Sequence, residues 1–419
     1  MTNSRHANLW RAMGPALLFS GTAIGVSHLV QSTRAGAVYG LALVGVIIIS
    51  CILKYPSFRF GVDYAHATGR TLFSGYRAIG MWALVLQALA IVPFAPIPVA
   101  AVAATTAGLL LAVTGLAVSM PIMASILLIV AIILVLWRGY DWLDKVNRFL
   151  MAFLVLSTVA TTLITLPQAP WGTLFETSWV FDPAALIFIV ALAGFLPNPM
   201  SMSGVQSVWT RNYYKAARRN TQTEDTIAEA RIAFSIPYVM TTILAVCFCI
   251  MGAGVMYQGN VTPEQGAVGF AVQIVNLYRE ALGGGPVILA AIAAVSTMLT
   301  TLFVAVDATG RSIAAMCAEI VGGDRATEDK LFAPVILLSV FLTMALLFFF
   351  QSRFLILIDL ATALAFIVSP LIATLNHVAI LRCDMNSATR PGALMQGLNI
   401  VAIATMSALA IAYFYFKLT

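Results

Sequence analysis

Charge is scarce in this sequence. Asp, Glu, Lys and Arg make up only 10% of its 419 residues, against roughly 25% in soluble domains. Apolar residues make up 61%, and mean hydropathy is +0.94. A soluble enzyme, a nucleic-acid binder and a secreted disulfide scaffold are excluded on composition. Cysteine is scarce too. Of the five, Cys247 and Cys249 lie inside an apolar run, while Cys51, Cys317 and Cys383 are scattered. No CxxC pair has metal spacing and no even-numbered disulfide framework exists. They read as buried small hydrophobes. No nucleophile sits beside a base and no cofactor fingerprint occurs, so the chain is not read as an enzyme and no cofactor is expected beyond a coupling ion, H+ or Na+. The net charge of +6 invites a nucleic-acid partner, which the placement of the charges removes.

Long apolar runs are what the sequence has. A membrane helix needs about 20 mostly apolar residues. Eleven such segments run near 14–37, 40–62, 80–112, 119–137, 143–166, 184–208, 232–256, 286–316, 332–350, 354–379 and 393–416. Residues 1–13 hold Arg5, His6 and Arg11 and lack a cleavable apolar core, so no signal peptide is read there. With the N-terminus in the cytoplasm and sides alternating, 19 of the 23 Lys and Arg residues fall inside, leaving Arg34, Arg279, Arg353 and Lys417. The count assigns Lys54 and Arg59 to the inner side with the rest. This asymmetry predicts an N-in, C-out topology in a bacterial inner membrane, with the bilayer and a small-ion substrate as partners and no nucleic acid. The polar stretch 209–230 reads as a solvated amphipathic linker, and 257–285 as a loop with a short surface helix.

Two of these spans are interrupted at corresponding places. The first reads GPALLFSGTAIGVSHLVQSTRAGAVYG, with Gly25, Ser27 and His28 near mid-span and Gln31, Ser32, Thr33 and Arg34 following. The sixth reads ALIFIVALAGFLPNPMSMSGVQSVW, with Gly194, Pro197, Asn198 and Pro199 near its middle. Two prolines within three residues remove donors and clash with the preceding turn, so that helix must break. Broken backbone at membrane depth is tolerated only when buried or lining a cavity. Breaks five spans apart fit two inverted five-helix repeats with a substrate site between them. The expected organisation is a cytoplasmic N-terminus (1–13), a first repeat (14–167), a second repeat (184–379) and an added eleventh span (393–416). The expected fold class is all-α integral membrane.

The segment GPALLFSG…QSTRAGAVYG resembles the first helix of the Nramp (natural-resistance-associated macrophage protein) family of divalent-metal transporters. The shared frame is a Gly-Pro opening, a mid-helix break and a closing AGAxYG. The break in the sixth span sits where that family carries Met-Pro-His, and the eleven-span count agrees. The resemblance implies a LeuT-type fold with alternating access.

It also implies a site that this chain has lost. The family binds metal with Asp-Pro-Gly-Asn in helix one and with the Met of Met-Pro-His. Aligned on the flanks, the Asp position is Gly25, the Pro is Val26, the Gly is Ser27 and the Asn is His28. The Met position is Leu196 and the His position is Asn198. Carboxylate and thioether are both gone. Hard cations need oxygen ligands and softer ones favour imidazole and sulfur, so one imidazole, one amide and hydroxyls make a poor dication site. Met200 and Met202 supply sulfur only after a register shift. The family's proton relay is absent as well: the third span has Gln87 and no charge, and the ninth, 332–350, has none.

The remaining polar residues define the candidate site. Gly25, Ser27, His28, Gln31, Leu196, Asn198, Ser201 and Ser203 are the expected substrate residues. His28, Arg34, Asp307 and Asn376 are the expected coupling or gating residues, with His28 as replacement proton carrier. Arg34 reads as a snorkelling interface residue or as a positive wall on the vestibule. Asp307 reads as a partner of Arg311 at i, i+4, with a sodium site near Ser296, Thr297 or Thr301 as the alternative. Asp359 is expected to pair with Arg353. The functional expectation is a secondary transporter for a small inorganic anion such as bicarbonate, because positive helix ends and hydroxyls face the break without a carboxylate. A magnesium- or manganese-type dication transporter and a non-transporting sensor are the alternatives.

Overall fold

The computed structural model describes residues 14–137, 140–219, 226–282, 284–351, 353–383, 385 and 389–418. Arg5, His6 and Arg11 lie outside the described residues, as does the Gly283 breaker. The described chain is helical throughout, with no strand. Eight of its helices or helix pairs are long and apolar enough to cross a bilayer. Exposed large hydrophobics such as Trp82, Ile133, Leu342 and Ile411 cover the outside of the bundle. Apolar residues in such numbers on an outer surface belong in lipid, and the chain is an integral membrane protein.

The first span is α1 (Gly14–Ala23), a π-helical turn (Val26–Ser32) and α2 (Thr33–Tyr39). Ten residues of α1 rise about 15 Å, half of a bilayer core. The second span is α3 (Val44–Thr68), followed by the short α4 (Leu72–Ile79). The third is α5 (Met81–Ile91) and α6 (Pro96–Thr114), separated by a single 3-10 turn (Val92–Phe94) where the prolines cluster. Then come α7 (Met120–Trp137) and α8 (Tyr140–Thr165). The sixth span is α9 (Pro183–Phe195) and α10 (Met202–Arg219), with a cis Leu196–Pro197 bond between them. After it come α11 (Ile227–Met251), α12 (Ala267–Leu282), α13 (Gly284–Val321) and α14 (Arg325–Phe349). The tenth span divides into α15 (Phe354–Ile367) and α16 (Ser369–Arg382), and α17 (Ala393–Leu418) closes the chain.

Three differences from the sequence reading have simple causes. The stretch 209–230 is no plain linker: α10 runs on to Arg219, burying Trp209 and Thr210, and Arg211 pairs with Glu328 at 3.0 Å. A periodic polar helix looks like a linker until its partner is known. The helix expected in 257–285 is there, but it is 16 residues long and its apolar face is buried against the core. The tenth span breaks at Val368–Ser369, ahead of Pro370, which takes a helix-start position.

Glycine lets the second half of span one touch span seven. A Cβ on Gly36 would lie 1.9 Å from the Cys249 carbonyl, and one on Gly252 2.3 Å from the Thr33 carbonyl. Only hydrogen fits there. The same holds at Gly194, where a Cβ would lie 1.9 Å from the Thr362 carbonyl, clamping α9 to α15.

Candidate functional site

The two breaks face each other across a cavity of about 130 Å³. Ser27 and Thr22 bound it from the first span, and Asn198, Ser201 and Phe195 from the sixth. Thr301, Thr309 and Ser312 of α13 add hydroxyls, while Val99 and Val102 of α6 and Ala361 and Leu364 of α15 give an apolar wall. Among the described residues no charged side chain lines it. Ala308, Ser312 and Ile313 extend it along α13 towards the Arg311 end of that helix.

Each broken span presents two charged features of backbone origin. The helix that stops leaves carbonyls and a negative end; the helix that restarts leaves N–H groups and a positive end. At the first break the negative end is capped. Thr301 Oγ1 lies 2.7 Å from the Gly21 carbonyl and 3.1 Å from that of Ile24. Asn198 Nδ2 donates to the Phe19 carbonyl at 3.0 Å and to Thr22 Oγ1 at 3.0 Å. Ser27 Oγ lies 2.9 Å from the Ala23 carbonyl. At the sixth break the cap is a cation. Lys54 Nζ donates to the carbonyls of Ala193 at 2.5 Å, Gly194 at 2.9 Å and Asn198 at 3.3 Å. The positive ends, at Val26–Ser27 and at Ser201–Met202, border the cavity instead.

Lys54 is the functional residue that sequence reasoning missed. Counting it as an inner-side charge is wrong: it lies at the eleventh position of the 25-residue α3 and is fully buried. The signal was present, since a lysine inside the run VGVIIISCILKYPSF is intramembrane by position.

The structure divides the expected site residues. Ser27, Asn198 and Ser201 meet at the cavity. His28 does not. Its ring is wholly buried, with Nε2 2.8 Å from the Thr241 carbonyl on α11 and Nδ1 2.8 Å from Ser27 Oγ. Both nitrogens are engaged, so His28 ties span one to span seven and touches the cavity only through Ser27. Leu196 is buried in the apolar core and does not line the cavity. Gly25 packs on Thr301, where an added Cβ would lie 2.9 Å from its methyl group.

Gln31 and Arg34 belong to a second cluster. Arg34 donates to both oxygens of Asp359, at 2.6 and 3.2 Å, and to Gln31 Oε1 at 2.8 Å. Gln31 Nε2 reaches Asp359 and Thr362, each at 3.1 Å. The guanidinium stacks over Phe188 of α9 at 5.2 Å. Asp359 pairs with Arg34 rather than with Arg353. Arg34 is therefore no bare positive wall: its charge is matched by a bidentate carboxylate. The arginine is 12% exposed and the aspartate 42%, so the pair reaches the surface of the bundle through its carboxylate.

Ser203 and Asn376 form a third cluster away from the cavity. Asn376 Nδ2 donates to Ser203 Oγ and Ser57 Oγ, each at 2.9 Å, and its Oδ1 accepts from Tyr76. This saturated network joins α10, α3, α4 and α16. Asp307 makes the expected pair with Arg311, at 2.8 Å, which also lies over the Phe332 ring. Thr301, one of the hydroxyls suggested for a sodium site, instead bridges α13 to the first break. No group of three or more His, Cys, Asp or Glu side chains able to hold a metal occurs among the described residues.

Broken first and sixth spans around a central cavity define the architecture of a LeuT-fold secondary transporter. Solved structures place the chain in that fold. A crystal structure of the manganese transporter of Eremococcus coleocola matches with a TM-score of 0.74, covering 98% of this chain and 87% of that one at 13% identity. MhsT in complex with L-phenylalanine matches at 0.66, covering 96% and 98% at 14% identity. The nucleobase-cation-symport transporter Mhp1 in a closed conformation matches at 0.59, covering 97% and 91% at 13% identity. No protein-family model matches the sequence. An uncharacterized protein of Pasteurella multocida (strain Pm70) is 29% identical over 377 residues, 88% of this chain and 85% of that protein. The Nramp resemblance of the first span thus extends, as fold, over nearly the whole chain.

Proposed function

We propose that this chain is a divergent Nramp-like secondary transporter whose cargo is a small monovalent anion, bicarbonate-like in size. The observation that carries the reading is the fate of the four half-helix ends. The negative ends are closed by Thr301, Asn198, Ser27 and Lys54. The positive ends border the cavity. An anion there gains the dipole field and hydroxyl donors. A dication would meet no carboxylate, and the backbone oxygens it could use already accept from the protein. The manganese transporter shares the fold, yet the family's acidic and thioether positions are Gly25 and Leu196 here.

With the N-terminus inside, Arg34–Asp359–Gln31 is the closed outer gate and the cavity runs towards the cytoplasm. The gate holds α2, α15 and, through Phe188, α9 together. Opening it would separate a partly exposed ion pair, which the anion's own field in the vestibule can help to compensate at Arg34. Ser201 is the expected direct side-chain ligand; the one hydroxyl proton of Ser27 is taken by the Ala23 carbonyl or His28 Nδ1, so Ser27 contributes its place at the positive helix end. His28 positions Ser27 and does not contact cargo.

Calorimetric titration of detergent-purified protein tests the reading. Bicarbonate, formate and nitrate are titrated beside manganese and magnesium. Saturable anion heat, weakened in Ser201→Ala, with no metal heat, is the expected result. Saturable manganese or magnesium binding without anion binding overturns it.

A further inference from the structure

The break in span six carries a second site, distinct from the cargo cavity. After Phe195 the backbone leaves the helix, and the carbonyls of Ala193, Gly194 and Asn198 turn towards one point. Three carbonyl oxygens converging at a helix C-terminus are a hard cation's ligand set: oxygen donors in a negative field. The point is filled by Lys54 Nζ, within 3.3 Å of all three. An ammonium has three N–H bonds and meets three acceptors; a neutral amine has two and would leave one unmatched. No carboxylate pairs with Lys54 among the described residues. The lysine charge is therefore balanced by backbone dipoles alone, as a bound metal ion's would be.

We propose that this carbonyl crown is a monovalent-cation site, and that the Lys54 ammonium is its permanent, tethered occupant. The chain carries its cation covalently, so the break is held without free sodium or potassium. Removing the side chain empties the crown and creates a site for a small monovalent cation or a primary ammonium ion. A separate cavity of about 180 Å³, bounded by Ser50, Trp179, Phe366 and Thr405, abuts both Lys54 and Ala193 on the side towards α17. It has room for a methylammonium-sized probe.

The inference concerns the scaffold and does not rest on the identity of the cargo, so its test uses no substrate. Full-length wild type and Lys54→Ala are purified in detergent with choline chloride as the only salt. Thermal unfolding is then followed as sodium, potassium or methylammonium chloride replaces choline at constant ionic strength. Ligand mass action predicts a saturable rise in the midpoint of Lys54→Ala with methylammonium or an alkali cation. Wild type and Lys54→Arg should show no such rise. If Lys54→Ala does not survive in choline, purification in methylammonium decides: recovery supports the crown, and failure in both salts overturns it. A wild type stabilised saturably by sodium or potassium also overturns it, since the site would then be vacant. So does a Lys54→Met variant as stable as wild type in choline.

Discussion

The two broken spans solve the same problem with different chemistry. In the first, hydroxyls and an amide borrowed from spans six and eight close the loose carbonyls: Thr301 on Gly21 and Ile24, Asn198 on Phe19. In the sixth, one ammonium closes three. The first break follows a glycine, and its donors are small and local. The sixth contains Pro197 and Pro199, which remove two N–H groups, and its gap runs over six residues, Leu196 to Ser201. A gap that wide needs a donor with three hydrogens on a long stem. The difference also sets the field in the cavity, because both negative ends are sealed and both positive ends are not.

Substitutions sharpen that contrast, beginning with the largest effect. Gly194→Ala drives a Cβ to 1.9 Å from the Thr362 carbonyl, a backbone atom that cannot swing away. Loss of monodisperse protein is expected. Gly25→Ala meets only the Thr301 methyl at 2.9 Å and should yield folded protein; size-exclusion profiles of the two check this. Lys54→Met keeps the volume but strands three buried carbonyls, a cost of about 3 kcal/mol or more at 1–3 kcal/mol per lost partner. A large drop in the unfolding midpoint is its readout. Thr301→Val deletes one shared hydroxyl and should cost about 1–2 kcal/mol, so the sixth break should prove the more sensitive of the two. Equal losses in Lys54→Met and Thr301→Val would break the comparison. Smallest of all, Ser201→Ala should weaken anion binding by about tenfold, one charged hydrogen bond's worth, with little loss of stability. His28→Gln should leave that affinity nearly intact, because its ring points to Thr241 and not to the cavity.

Much of the fold was legible in the sequence. Eleven apolar runs, the Pro-Asn-Pro interruption and the polar cluster after Gly25 are local signals, and they located both breaks. Half of the site was not legible, for one reason: a polar residue near a break can turn either way. Ser27, Asn198 and Ser201 turn into the cavity. His28, Gln31, Ser203 and Asn376 turn into helix interfaces, where neighbours hundreds of residues away satisfy them. The Arg34–Asp359 pair spans 325 positions, so no local pattern announces it: Arg34 looked like a lone charge near an interface, and Asp359 looked like a partner for its neighbour Arg353. Lys54 was hidden by the positive-inside count, which treats every basic residue near a span's inner half as topology.

The central claim is that sealing the negative helix ends has turned a metal transporter's cavity into an anion's. Flux decides it most directly. Purified protein in liposomes is loaded with unlabelled bicarbonate and exchanged against the labelled ion in sodium-free choline medium, with manganese and magnesium influx followed in parallel. The account predicts saturable anion exchange, reduced in Ser201→Ala and unchanged by sodium, with metal influx no greater than in empty liposomes. Saturable manganese or magnesium influx without anion exchange would contradict it.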